Sequence, residues 1–298
     1  MNRRSWLRGT AAALLADRLA LIASAASDES SRFRTAAVNG RGFLASLFDP
    51  ALDLLPEYRE AKVYWLYHDN YLAAEVLENS HSELSKRIQK ALQSYGIAKS
   101  GKIEIVFDAA IRPLPFRHPE LIEVKRLGNK IVKTEIITDR AFKGWEEYAD
   151  LLLMAAMALS HTEPSKSKRY FAQALAMWDG MGFKDRVTLK TGKYAVYKLA
   201  LAVIATGRLD IRPAELDSII ERLLVQQSES GGRNANYAAD GKVVGLANVA
   251  TTSLAVLAID SFAPYRMVKQ RQPNTNLIER SVGASACKVT SDGAARGV

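Results

Sequence analysis

Tyr148-Ala149-Asp150-Leu151-Leu152-Leu153-Met154-Ala155-Ala156-Met157-Ala158-Leu159 is apolar on nearly every side, the pattern of a helix buried all round. Next along the chain, residues 165–179 put Phe171, Ala174, Leu175 and Trp178 on one face, and Gly180 and Gly182 close that helix. Tyr194 to Ala205 is again apolar almost all round and ends at Gly207. Pro213 takes a first-turn position before the stripe Leu216, Ile219, Ile220, Leu223 and Leu224. A last helix is expected from about Thr251 to Phe262, stopped by Pro264. Fully apolar helices thus alternate with half-apolar ones, as an inner set wrapped by a half-solvated outer set would require. The expected fold class is mainly α, built from consecutive helix hairpins.

Upstream, Phe43, Leu44 and Leu47 recur at helical spacing and Asp49-Pro50 turns the chain. Asn70 to Leu77 reads as a helix. Ser82 caps another, with Leu84, Ile88 and Leu92 on one face and Gly96 at its end. Residues 101–140 break the pattern. Ile103, Ile105 and Phe107 alternate as a strand would, and Pro113, Pro115 and Pro119 exclude a helix. Leu121–Leu127 and Lys130–Ile137 flank Gly128-Asn129, a hairpin turn between strand-forming runs. A small β-hairpin insertion is expected there.

The ends differ from the middle. Arg3-Arg4, an apolar stretch and Ser24-Ala25-Ala26 are the parts of an export signal over residues 1–26, similar to a twin-arginine leader, although Asp17 and Arg18 interrupt it. That reading places the protein in the periplasm or outside the cell; an ordinary N-terminal amphipathic helix would leave it cytoplasmic. Residues 27–42, polar and Ser/Arg-rich, read as a linker, 43–265 as the helical domain and 266–298 as a disordered tail.

The chain has 298 residues and a formal charge of +9. Residues 1–26 carry +3 and residues 266–298 carry +4, which leaves +2 for everything between. The excess lies at the ends and not on a folded face, so a nucleic-acid partner is disfavoured. No stretch reaches the roughly 18–20 apolar residues of a transmembrane helix. Cys287 is the single cysteine, and His68, His81, His118 and His161 lack metal-ligand spacing, so no metal and no cofactor are expected. A P-loop, a dinucleotide-binding glycine pattern and a nucleophile-elbow serine are all missing.

Two segments concentrate chemistry. Tyr64-Trp65-Leu66-Tyr67-His68-Asp69-Asn70-Tyr71-Leu72 gathers four aromatics, a histidine, a carboxylate and an amide at a helix start. Asp69 or Asn70 would cap the helix, or the aromatics would form a stacking platform with Asp69 and His68 beside it. Gln226 to Gly232 leads through Asn234, Asn236 and Tyr237 to Asn248-Val249-Ala250-Thr251-Thr252-Ser253-Leu254-Ala255, where Asn248, Thr251 and Thr252 are caps or ligand contacts. Glu146 and Glu147 open the apolar Tyr148 helix and suit its positive end; alternatively one of them faces the same cavity as Asp69. Lys190, Lys193 and Tyr194 open another inner helix and are rim residues, or contacts for an acidic sugar; Arg112, Arg117 and His118 lie in the proline-rich turn, where they would cover a cavity mouth.

These two segments resemble the repeating hairpin of α/α-toroid proteins, the six-hairpin glycosidase-like and terpenoid-cyclase-like toroids. The likeness covers about thirty residues at each place. Arg233 stands where an aromatic usually follows the Gly-Gly pair, and the acidic cyclase signatures are missing. The resemblance implies a helical toroid, closed or incomplete, with a central cavity at the inner helices' N-terminal ends. It also implies a carbohydrate-active enzyme, a hydrolase, lyase or epimerase on a glycan or other small ligand. Asp69 and Glu147 would be its catalytic pair, and Tyr64, Trp65, Tyr67, His68, Asn70, Tyr71, Asn236, Tyr237 and Asn248 its substrate contacts. The competing reading is a non-catalytic glycan- or protein-binding scaffold on the same frame.

Overall fold

The structure is a computed structural model that describes residues 30–96, 102–107, 114 and 116–270. The leader at 1–26, the greater part of the tail, and Arg112, Pro113 and Pro115 lie outside the described residues. The chain divides after Ala263; of the second unit, Pro264–Val298, residues up to Gln270 are described and helical.

Among the described residues the fold is mixed α/β and not clearly the helical toroid expected: about 52% helix and 20% strand, with two three-stranded sheets. Helix α1 covers residues 30–46. Strand β1, Val63–Trp65, leads into a π-helical turn, Leu66–Tyr71, continuous with α2, Leu72–Leu77. Helix α3 is Ser82–Ser94. Strands β2, Arg117–Leu127, and β3, Lys130–Ala141, form the hairpin expected around Gly128-Asn129. That hairpin is not a free-standing insertion. β1 joins β3 in parallel, Val63 opposite Ile131, which closes a sheet of order β1-β3-β2. Ile103–Phe107, expected as a strand, is a short 3-10 helix with Ile103, Ile105 and Val106 buried. Four adjacent buried residues, Ile103 to Val106, suit a turn inserted into the core better than a half-exposed strand.

The apolar runs are α4, Ala149–Ala158, and α7, Val196–Leu209, both buried along nearly their whole length. Between them lie α5, Pro164–Leu175, α6, Arg186–Thr191, and a two-residue strand β4, Tyr194–Ala195. Helix α8 is Leu216–Val225, and strands β5, Arg233–Tyr237, and β6, Val243–Asn248, precede α9, Val249–Gln270. Strands β4-β5-β6 make the second sheet, which periodicity did not reveal because their burial alternates too weakly. Helix α9 passes through Pro264, where a stop was expected.

The stretch read as a linker is largely α1. Phe33, Ala36, Ala37, Phe43, Leu44 and Leu47 are buried along it at helical spacing. Between Phe33 and Phe43 its buried residues are the small Ala36, Ala37 and Gly40, so that stretch looks polar while packing closely. At Gly40 a Cβ would stand 2.6 Å from Val256 Cγ2, so α1 can approach α9 only without a side chain there.

One local device occurs twice. Asp49 accepts the backbone N–H of Ala51 through Oδ1 and the hydroxyl of Tyr64 through Oδ2, at 3.0 and 2.7 Å. Asp179 does the same for Met181 N–H and Tyr194, at 3.0 and 2.6 Å. Each latch ties a turn to the strand fifteen residues on, and each strand runs directly into a buried helix, α2 or α7. Likewise Ser85 Oγ donates to Ala74 O and Ser167 Oγ to Ala156 O, at 2.8 and 2.6 Å, each pinning an outer helix to an inner one.

Candidate functional site

The starts of α2, α4, α7 and α9 contribute to one cavity of about 420 Å³. The π-helical turn and α2 supply Trp65, His68, Asp69 and Leu72; α4 supplies Asp150 and Met154; α7 supplies Tyr197. Asn248, Ala250, Thr251 and Leu254 come from the entry to α9. Leu121 on β2, Glu135 on β3, Lys102, Ile103 and Glu57 complete the wall. Helix N-terminal ends carry partial positive charge, so this is where buried carboxylates are tolerated best.

The π-helical turn fixes the acidic edge. Asn70 is wholly buried and spends its amide on backbone: Oδ1 accepts Leu55 N–H at 2.7 Å, and Nδ2 donates to Leu55 O at 3.0 Å and Trp65 O at 2.9 Å. Asn70 therefore locks the turn and is not a ligand contact. Asp69, its neighbour, caps nothing: the turn has no side-chain cap. Asp69 is 3% exposed, and its buried Oδ2 meets no protein donor. Burial, and secondarily the nearby Glu57, hold its carboxyl well above the usual carboxylate range, which favours its protonated form.

Opposite it the environment is different. Tyr197 donates to Asp150 Oδ2 at 3.0 Å while Asp150 Oδ1, also buried, meets no protein donor. Burial and then Asp150 push the Tyr197 phenol well above 10, so it remains an O–H donor. Below this pair, Asp185 and Lys198 are fully buried and joined at 2.5 Å. Asp185 also accepts the N–H groups of Val187, Thr188 and Ala149. One carboxylate thus caps α6, holds the first residue of α4 and pairs with α7. The neighbours of Ala149 and Lys198 in sequence are Asp150 and Tyr197, so this cluster sets the register in which those two meet.

His68 Nδ1 lies 3.6 Å from Glu135 Oε1, with Lys102 4.0 Å from Glu135 Oε2. Burial lowers the imidazole below its ordinary value against the opposing pull of Glu135, although 39% of the side chain reaches solvent through the cavity. His68 is thereby neutral near pH 7, a donor on one ring nitrogen and an acceptor on the other. Among the described residues no group of three His, Cys, Asp or Glu is arranged to hold a metal.

The two segments singled out in the sequence do meet here: Trp65, His68 and Asp69 from the first share the cavity with Asn248 from the second. Asn248 also accepts Thr251 N–H at 2.8 Å, so it caps α9 while facing the cavity. Other expected contacts are elsewhere. Tyr64 serves its latch, and Tyr67 and Tyr71 pack on each other with ring centroids 6.0 Å apart, Tyr71 reaching Phe107. Asn236 lies in β5, and Tyr237 is buried, stacked on Tyr194 and donating to Met181 O. Glu147 is a correction: it sits on a 3-10 turn, Trp145–Glu147, outside α4, is 57% exposed and pairs with Arg186 at 3.2 Å. Tyr148 is extended, φ −117° and ψ 118°, and that break turns Glu147 away and leaves Asp150 as the acid of the first turn. Arg117 pairs with Asp139, and the His118 ring stands 4.6 Å from that of Phe142. Lys190 and Lys193 are exposed.

Sequence reasoning passed over Glu57, Lys102, Glu135, Asp150 and Tyr197. For Asp150 and Tyr197 a signal existed: each is among the few polar groups on an otherwise apolar helix, where a group without a task is costly. No family model and no curated protein matches the chain. No described helix is long and apolar enough to cross a membrane.

Proposed function

We propose that the chain is a carbohydrate-active enzyme, a hydrolase, lyase or epimerase of a glycan, with Asp69 as proton donor and Asp150 as its partner. One observation carries this: two carboxyl groups with unlike surroundings, Asp69 buried and Asp150 half-buried, each with a buried oxygen that meets no protein donor, open on the same cavity. Groups that differ in this way divide acid and base roles between them. Asp69, protonated, would deliver a proton to a leaving sugar oxygen. Asp150, oriented by Tyr197, would receive a proton from water or from a sugar carbon, or attack the anomeric carbon. Trp65 offers an aromatic face on the cavity wall for a sugar ring, and neutral His68 and Asn248 offer polar contacts.

The test sets wild type beside Asp69→Asn and Asp150→Asn on neutral, amino and uronic-acid glycans, following reducing ends and ultraviolet absorbance together. Turnover by wild type should fall by about 10²–10⁴-fold in Asp69→Asn, with binding and circular dichroism retained. Undiminished turnover in Asp69→Asn would remove Asp69 from the chemistry. Binding with no turnover in all three proteins would replace the enzyme with a recognition module.

A further inference from the structure

The charge of the cavity wall is lopsided. Among the described residues lining it, Glu57, Asp69, Glu135 and Asp150 are acids, Lys102 is the cation, and His68 and Tyr197 are the remaining titratable side chains. Lys102 already stands beside Glu135, and the positive ends of α4 and α9 are already faced by Asp150 and Asn248. The unmet hydrogen-bonding capacity beside His68 consists of acceptors: buried Asp150 Oδ1 and Glu135 Oε2 meet no hydrogen-bond donor of the protein. Glu135 and Asp150 both act on the His68 ring, so the two carboxylates share one neighbourhood.

We infer that the cavity selects a glycan carrying a free primary amino group, its ammonium held by Asp150 and Glu135 beside His68. The inference rests on the glycan reading above and adds the substrate class. An ammonium brings three donors and a positive charge to a wall that presents acceptors and negative charge. A uronate or sulfated sugar would set its own anion against the same carboxylates, the like-charge juxtaposition that excludes wrong partners at interfaces. An N-acetylated sugar loses the charge and adds bulk.

The experiment is calorimetric binding of three oligosaccharides of equal length, composed of glucosamine, N-acetylglucosamine or galacturonate, with spermidine as a sugar-free polyamine. The proteins are the full chain as wild type, Glu135→Gln and Lys102→Gln. The glucosamine oligomer should bind wild type at least ten-fold tighter than the other two sugars. That margin should shrink in Glu135→Gln, widen in Lys102→Gln and weaken as salt is raised. Equal or tighter binding of the galacturonate or N-acetyl oligomer would overturn the amino-group inference and leave the glycan reading standing. Spermidine binding as tightly as the glucosamine oligomer would end the glycan reading, and the inference with it. Because Lys102→Gln is expected to gain affinity, a folding defect cannot imitate its predicted result.

Discussion

The entrances to α2 and α7 are built alike and used differently. Both follow a Tyr–Asp latch, and both helices are entered from an extended residue, Trp65 at φ −97°, ψ 119° and Ala195 at φ −84°, ψ 123°. Three residues after each latch tyrosine comes another tyrosine, Tyr67 or Tyr197. Four residues after come His68 and Lys198, and five after come Asp69 and Leu199. At α7 the buried cation is matched by Asp185 at 2.5 Å. At α2 the buried acid is unmatched, and burial at the edge of a cavity holds its carboxyl well above the usual carboxylate range. A matched buried charge organises its surroundings, whereas an unmatched one costs stability and persists where a ligand or a reaction uses it.

The largest test of that contrast is Lys198→Met. Removing one member of a buried pair leaves Asp185 uncompensated, and unfolding in urea should show a loss of about 3–5 kcal/mol. A loss below about 1 kcal/mol would mean that Asp185 is sustained by its three backbone donors alone. Tyr64→Phe and Tyr194→Phe come next. Each should cost about 1.5–3 kcal/mol by deleting a hydrogen bond to a carboxylate, and the two losses should agree within about a factor of two if the latches are equivalent. In both latches burial raises the aspartate, yet hydrogen bonds outweigh it and the net shift is downward: from Lys130 and Tyr64 for Asp49, and from Tyr194 and backbone N–H groups for Asp179. A carboxyl whose folded pKa is depressed contributes stability above its unfolded pKa of 3.8 and loses it as pH falls through the folded value. The two Phe variants should therefore converge with wild type only in strong acid.

Asp69→Asn should move the other way. Its folded pKa is raised, so the folded state holds a proton that the unfolded chain gives up near 3.8, and stability falls as pH rises above that. At pH 7 the Asn variant should be more stable than wild type by about 0.5–2 kcal/mol, the usual yield of relieving a functional strain, with the gain vanishing toward pH 4. A destabilised Asn variant at pH 7 would show that the carboxyl is matched after all. The smallest effect belongs to Glu147→Gln, which breaks an ion pair between two half-exposed side chains and should change stability by less than about 1 kcal/mol and activity not at all.

Parts of this were legible in advance, and for definite reasons. The Tyr148–Leu159 and Tyr194–Ala205 runs are apolar on all sides, and both are buried helices because no other arrangement hides that much surface. Gly128-Asn129 between β-branched runs gave the hairpin, since the turn chemistry is local. The first half of helix α1 escaped because between Phe33 and Phe43 its buried face is Ala36, Ala37 and Gly40, which carry little hydrophobic signal yet pack close. The three short strands of the second sheet escaped because β4 is two residues long and pairs with β5 about forty residues away, and because β5 and β6 alternate too weakly to show as a hairpin. Asp69, His68 and Trp65 stood out by composition. Glu135 did not, because on β3 it is one polar residue in an alternating strand.

The sequence by itself determined that the α4 and α7 runs must be buried, that the chain turns at Gly128-Asn129, and that residues 64–72 carry more chemistry than a helix start needs. Burial propensity and turn geometry are short-range properties that each segment states alone. Only the tertiary structure decided that Asn70 is spent on the backbone of Leu55, that Asp69 is left unmatched, and that α4 presents Asp150 to the cavity instead of Glu147. Those outcomes depend on which groups from distant segments reach each carboxylate. A carboxylate's protonation and role follow from that company, which no single segment contains.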